Sequence, residues 1–371
     1  MRIIFSGMLA GVPHNGGATW AVLQYLLGFR RLGHDVLFVE PVDALTPENV
    51  SYFEAVVSAY GLEGNASLLE SGGSDSAGVP YSRLREWARA ADLLVNVSGM
   101  LRHEELREPI LSRVYLDLDP VFNQLWHSEG VDVGFAGHTQ FVTVGQAIGR
   151  PGCHVPTDGL RWIPTLPPVV LGEWTPSERI ELDALTTVAN WRSYGSIRRD
   201  GVLYGQKAHA FRELIELPTR TNEAILLGLA IDPDEHRDLE ALERHRWRLR
   251  DPRAVAGTPE RYWRFVRGSK AELGIAKAGY VTARSGWFSD RSACYLASGR
   301  PVLAHETGFS EFLPTGEGLF AFSTVDEALA AIDELSTDYK RHARAARRIA
   351  EEYFDSDRVL PQLLEAVTAG P

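Results

Sequence analysis

The sequence is poor in cysteine: Cys153 and Cys294 are the two in 371 residues, one in each half of the chain. They make no CxxC pair and no Cys/His ligand spacing, which argues against a disulfide framework or a zinc site and fits a reducing cytoplasm. No apolar run approaches the roughly 18 to 20 residues of a membrane span. Positive charge is also short, because 38 Lys and Arg against 49 Asp and Glu leave a formal charge of −11. That balance predicts no basic field for nucleic acid or for an acidic membrane surface. Two chemical signatures are missing as well, the G-x-S-x-G nucleophile elbow and the G-x-x-x-x-G-K-[ST] phosphate loop. The opening "MRIIFSGMLAG" is too short in its apolar part for a secretory leader and runs into "VPHNGG" instead of a cleavage site, so it reads as a first strand.

What is present is an average soluble composition, 44% hydrophobic and 23% charged, with length enough for two domains of about 100 to 200 residues. The first sixty residues switch period, from the strand pattern "RIIFSG" through a glycine loop to the helical "ATWAVLQYLLGFRRL" and on to "DVLFVE", a βαβ unit. Strand patterns recur at "DLLVNVSG", "RVYLDLD", "VDVGFAG" (131–137) and "LRWIPT". A proline-rich break over 164–181 is the linker candidate, after which the alternation starts again. Alternating segments imply parallel sheets covered by helices. The expected fold is α/β: two doubly wound, Rossmann-like domains facing a cleft. Residues 1–173 form the first, 174–354 the second, and a C-terminal helix over 355–371 packs back on the first.

Doubly wound sheets bind ligands beyond the carboxyl ends of their strands, so the cleft is the expected site. In "SGMLAGVPHNGGATW", Gly16 and Gly17 permit a tight turn before a helix N-terminus, whose free N–H groups favour an anion or a sugar oxygen, with His14 at the rim. A plain strand-to-helix turn explains the glycines equally well, and Glu40 some 20 residues on leaves a dinucleotide reading open. In "SGWFSDRSACYLASGRPVLAHETG", Ser289 or Asp290 can cap a helix whose first turn, with Arg291 and Ser292, faces a phosphate. Gly308, followed by Phe309 and Glu311, permits a second close approach, and Trp287 inside the loop can stack on a sugar or base. Asp117 and Asp119 in "YLDLDP" share a strand face and could hold a divalent ion. Asp119, at the strand end, also reads as a group that orients an acceptor hydroxyl or removes its proton. His138 in "FAGHTQ" is a third cleft candidate, or an exposed loop histidine.

"GRPVLAHETGFSEFLPTGEGLFAFSTVDEALAAI" resembles the donor-binding half of nucleotide-sugar-dependent glycosyltransferases of the GT-B fold, and "NGGATWAVLQYLLGFRRLGHDVLFVE" is similar to their N-terminal strand, glycine loop and helix. The resemblance covers about a third of the chain. It implies transfer of a sugar from a UDP- or dTDP-sugar to a small-molecule acceptor, with the nucleotide sugar as co-substrate and no cofactor or metal. It further implies that Arg192 and Lys207 contact the donor diphosphate. Cys294 stands where many retaining members carry a ribose-binding Glu, which leaves ribose recognition to Asp290 or Glu311. The rival expectations are a GT-B nucleotide-sugar epimerase, a non-catalytic two-lobed binding protein and a nicotinamide-dependent oxidoreductase.

Overall fold

In the computed structural model, which describes residues 1–369, the apolar run β1 (Arg2–Ser6) lies parallel to β2 (Asp35–Val42), with the helix Gly16–Arg31 crossing between them. Asn15 starts that helix by accepting from the Ala18 amide at 3.2 Å, and Gly33, at φ 81°, lets the chain leave it. The sheet continues with β3 (Ala66–Glu70), β4 (Ser76–Gly78), β5 (Leu93–Val97), β6 (Ser112–Asp117), β7 (Gln140–Thr143) and β8 (Trp162–Pro164). Its spatial order is β4-β3-β2-β1-β5-β6-β7-β8, parallel except for the β3–β4 pair. Residues 131–137, expected as a strand, form a loop instead. Asp132 accepts from the Gly134 amide at 2.8 Å, and Gly134 and Gly137 sit at φ 78° and 81°, which breaks any ladder; the strand falls on the following "QFVT".

Thr165 to Glu181 connects to a second sheet of β9 (Leu182–Asn190), β12 (Ile225–Ala230), β13 (Arg248–Arg250), β14 (Ser269–Gly274), β15 (Val302–His305) and β16 (Leu319–Phe322). Its order is β13-β12-β9-β14-β15-β16, all parallel. A hairpin of β10 (Ile197–Arg199) and β11 (Val202–Tyr204) projects beside it. Chain order reverses between β1 and β5 and again between β9 and β14, so each sheet has the switch point at which such sheets bind ligands.

The Gly16–Arg31 helix belongs to both halves. One continuous apolar core takes in Trp20 and Leu23 from it and Tyr262, Ala293 and Leu296 from the second half. The Trp20 indole donates to Pro259 O at 2.9 Å, and the Val170 amide donates to Gln24 Oε1 at 2.7 Å. The helix Ser356–Thr368 crosses back onto the same helix, with Leu360 and Ser356 over Gly28 and an Arg31–Asp357 ion pair at 2.9 Å. Among the described residues, no helix is long and apolar enough to cross a membrane.

Gly16 lets the two halves touch, because a Cβ there would lie 2.2 Å from Thr258 O, a backbone atom. At Gly28 the nearest obstacle is the flexible Leu360 side chain at 2.5 Å. Gly16→Ala is therefore expected to lower the unfolding free energy by about 1–3 kcal/mol, as overpacking does, and Gly28→Ala by less. Urea denaturation of the two variants checks the ranking.

Candidate functional site

The cleft between the two sheets encloses a cavity of about 370 Å³. Three helix N-termini reach its wall: Asn15, Gly17 and Ala18 of the shared helix, Lys207 of the helix Lys207–Glu213, and Ser289, Asp290 and Arg291 of the helix Asp290–Ala297. Ser289 caps the last by accepting from the Arg291 amide at 3.2 Å. Helix N-termini present unpaired N–H groups and partial positive charge, the usual setting for a phosphate.

Three cations share this wall and are not equivalent. Arg291 is committed: its Nε donates to Glu272 Oε1 at 2.6 Å and its Nη1 to Val188 O at 3.0 Å, with the Glu272 side chain fully buried. Lys277 is committed across the cleft, 2.9 and 2.8 Å from the Asp119 oxygens and over the Tyr194 and Phe122 rings at 4.4 and 5.1 Å. Lys207 lines the cavity and has no hydrogen-bond or ion-pair partner among the described residues. Burial, then Arg291 and Lys277, hold its pKa well below the usual lysine range. An anion in the cavity would relieve that repulsion.

The two aspartates of "YLDLDP" separate. Asp117 is fully buried and accepts from Asn123, Gln124 and Thr143 at 2.7–2.8 Å and from the Asp119 amide at 3.1 Å; burial raises its pKa to about 6. With both oxygens occupied it cannot share a cation with Asp119. Asp119 does line the cavity, and its carboxylate accepts from Lys277, Tyr194 and Tyr280. This set of donors makes it an anchor for Lys277.

Gly17, Lys207, Trp287, Ser289, Asp290 and Arg291 are thus brought to one cavity with Asp119. Other expected residues lie elsewhere. Arg192 pairs with Glu235 beside a separate hollow. Ser292 is buried against β14 at Gly274, because its position on the helix turns it inward. Gly308 gives its amide to Glu306, Phe309 is in the core against Phe288, and Glu311 pairs with Arg284 at 2.6 Å. Gly16 serves the seam described above. His14, at φ 63°, sits edge-on to Tyr52 with Nε2 3.1 Å from Glu48. His138 is held between Asn96 Nδ2 at 3.0 Å and Phe135 O at 3.2 Å, a structural bridge and not a free base. Sequence reasoning missed Lys277, Tyr194 and Tyr280. Lys277 had a usable signal: it follows "ELGIA" just past the end of β14, at the switch point.

Residues 235–365 match the family described as Glycosyl transferase-like. Solved structures of the same shape include an alpha-glucosyltransferase in complex with UDP-glucose and DNA containing an abasic site, with TM-score 0.64, 13% identity and 99% of each chain covered. Anabaena Alr3699/HepE in complex with UDP and glucose aligns at TM-score 0.61 with 13% identity over 100% of each chain. The pneumococcal O-GlcNAc transferase GtfA, in complex with UDP and GlcNAc, aligns at TM-score 0.53 with 10% identity over 100% of this chain and 99% of that one. No curated protein matches the sequence. The fold is GT-B, and the second domain carries a glycosyl transferase-like segment.

The exclusion of nucleic acid drawn from net charge is overturned, since chains of this shape have been solved with DNA bound. Net charge sums over the whole surface, whereas a polyanion meets a local field. Here Arg244, Arg246, Arg248, Arg250, Arg253, Arg261 and Arg264 are all exposed on one stretch of an otherwise acidic chain.

The placement of His138 has a measurable consequence. Burial lowers its pKa to about 4, below the unfolded value near 6.5, so the unfolded chain binds the extra proton and stability falls as pH drops through 6.5 toward 4. His305, also held near 4 by burial, contributes in the same direction. Urea unfolding at pH 7 and pH 5 should show this loss, and His138→Gln should reduce it.

Proposed function

We propose that the protein is a glycosyltransferase that moves a sugar from a UDP- or dTDP-sugar to a hydroxyl of a small-molecule acceptor. The observation that carries this reading is Lys207, a half-buried lysine with no ion-pair partner among the described residues, at the mouth of three helices in a cleft between two switch points. The match of residues 235–365 to a glycosyl transferase-like family supports it.

In the reaction the bond from the sugar C1 to the β-phosphate oxygen breaks with its electron pair leaving on the diphosphate, a bond forms between C1 and the acceptor oxygen, and the acceptor proton is released to the solvent that enters the cleft. The charge that develops on the departing diphosphate is the main electrostatic demand on the site. Lys207 and the helix N-termini at Ala18 and Ser289 meet it, and Lys277, positioned by Asp119, adds a second ammonium. With two ammonium groups present we propose transfer without a metal, which activity in excess chelator would test. Trp287 and Asp290 face the sugar, and Asn15 and Ser98 line the first-domain side where an acceptor would sit. The unpaired thiols of Cys153 and Cys294 suit a cytoplasmic setting, which belongs to the same proposal.

UDP or dTDP is expected to raise the thermal midpoint, and Lys207→Ala to weaken binding by at least tenfold, since a hydrogen bond to a charged group contributes about 1.5–3 kcal/mol. Arg192→Ala should leave binding unchanged. A shift with NAD and none with any nucleoside diphosphate would refute the reading. The acceptor assay should set hydroxylated small molecules beside a DNA duplex, because transfer to DNA alone would replace the acceptor class proposed here.

A further inference from the structure

The outer edge of the second sheet concentrates positive charge that the cleft does not use. β13 is the edge strand, and its Arg248 and Arg250 pair in register with Leu226 and Gly228 of β12, so each pair leaves the sheet on the same face. Two helices, Pro252–Ala256 and Pro259–Gly268, cover that face. Leu226 clusters with Phe265 of the second, and a Cβ on Gly228 would lie 2.7 Å from Val255 of the first. Arg248 and Arg250 therefore emerge beside these helices, whose own exposed arginines include Arg253, Arg261 and Arg264. Arg261 reaches from one helix to the other, its Nη1 donating to Arg253 O at 3.2 Å. Arg261 and Arg264, three residues apart, share a side of their helix.

The ridge keeps its charge. Between residues 248 and 264 the acids are Asp251 and Glu260; Asp251 caps a helix by accepting from the Arg253 amide at 2.9 Å, and Glu260 pairs with Arg264 at 2.7 Å. Arg248, Arg250, Arg253 and Arg261 have no ion-pair partner among the described residues. Glu240 and Glu243 share a hollow with Arg248 and bound the ridge on the side of the helix His236–Arg244. In a chain of formal charge −11, folding gains nothing from like charges gathered on one face, whereas a polyanion meeting them releases its counter-ions. The face offers no anchor for a bilayer, which apolar or aromatic side chains would supply: Trp247 is buried with its indole on Ile215 O at 2.9 Å, and the exposed apolar residue here is Ala254. We propose that this ridge docks the phosphate backbone of nucleic acid, by charge and without reading its sequence. It lies beside the cleft, because the turn between the two helices abuts Gly16, where a Cβ would be 2.8 Å from Ala256 O. The docking surface uses none of the donor-site side chains and stands apart from the glycosyltransferase reading.

The test is fluorescence anisotropy of a short labelled DNA duplex titrated with the full chain. Affinity should fall roughly 40- to 150-fold between about 50 and 200 mM salt, the range for three or four neutralised phosphates. Arg248→Glu combined with Arg250→Glu should weaken binding by roughly tenfold or more and flatten the salt dependence, and Arg253→Glu combined with Arg261→Glu should do the same independently. The control is Arg161→Glu combined with Arg358→Glu, two exposed arginines without an ion-pair partner among the described residues. It changes net charge by the same amount elsewhere and should bind like the wild type. All three double variants should keep the wild-type thermal midpoint and the wild-type response to UDP. No duplex binding at low salt, or a loss as large in the control as in the ridge variants, overturns the proposal. So does equally tight, equally ridge-dependent binding to phosphatidylglycerol-containing vesicles, which would make the surface a membrane contact. A wild type that binds the duplex through the ridge but neither UDP nor dTDP would support the docking surface and refute the glycosyltransferase reading alone.

Discussion

Lys207 stands in a cleft where burial and two neighbouring cations hold its pKa down, Glu272 and Asp290 offset them only in part, and no carboxylate is hydrogen-bonded to it among the described residues. Folding alone gives little reason to hold it there, since a lysine drawn partly out of water without an ion-pair partner is destabilising. The geometry around it is built for the same purpose. Both parallel sheets aim their strand ends at the gap, three helices start at its wall, and Arg291 is restrained by Glu272 so that its charge adds to the field without closing the space. The seam at Gly16 and the shared Gly16–Arg31 helix fix the two halves at the separation that keeps the gap open on one side.

Across that gap Asp119 acts as an anchor. Its carboxylate accepts from one lysine and two tyrosines of the second domain, and it thereby sets the position of Lys277 and ties the end of β6 to the end of β14. Asp117, two residues earlier, is spent on holding the loop that follows β6 through Asn123 and Gln124. One short motif thus divides into a structural acid and an interdomain anchor.

The fold was legible in the sequence because it rests on local signals: period switches, glycine stops and a proline-rich break. The loop at 131–137 shows the limit, since an apolar alternation read as a strand is cancelled by two glycines at positive φ and an Asx turn. Ser289 and Asp290 were placed at the cleft from their position at a helix start and Lys207 from the family resemblance, and the structure brings all three to one cavity. The site was not legible where a distant partner decides the outcome. Arg192 is captured by Glu235, 43 residues on, and Lys277 meets Asp119 across 158 residues. Gly308 and Ser292 were misread for a simpler reason, because the turn of the chain points them away from the cleft.

The most direct test of the account is the proton balance of nucleotide binding. Because the Lys207 ammonium is disfavoured in the empty cleft and favoured beside a diphosphate, UDP or dTDP binding at mildly alkaline pH should take up protons. Titration calorimetry in buffers of different ionisation enthalpy should detect the uptake, and Lys207→Met should abolish it while weakening affinity. Binding with no proton uptake, and with affinity unchanged in Lys207→Met, would contradict the account.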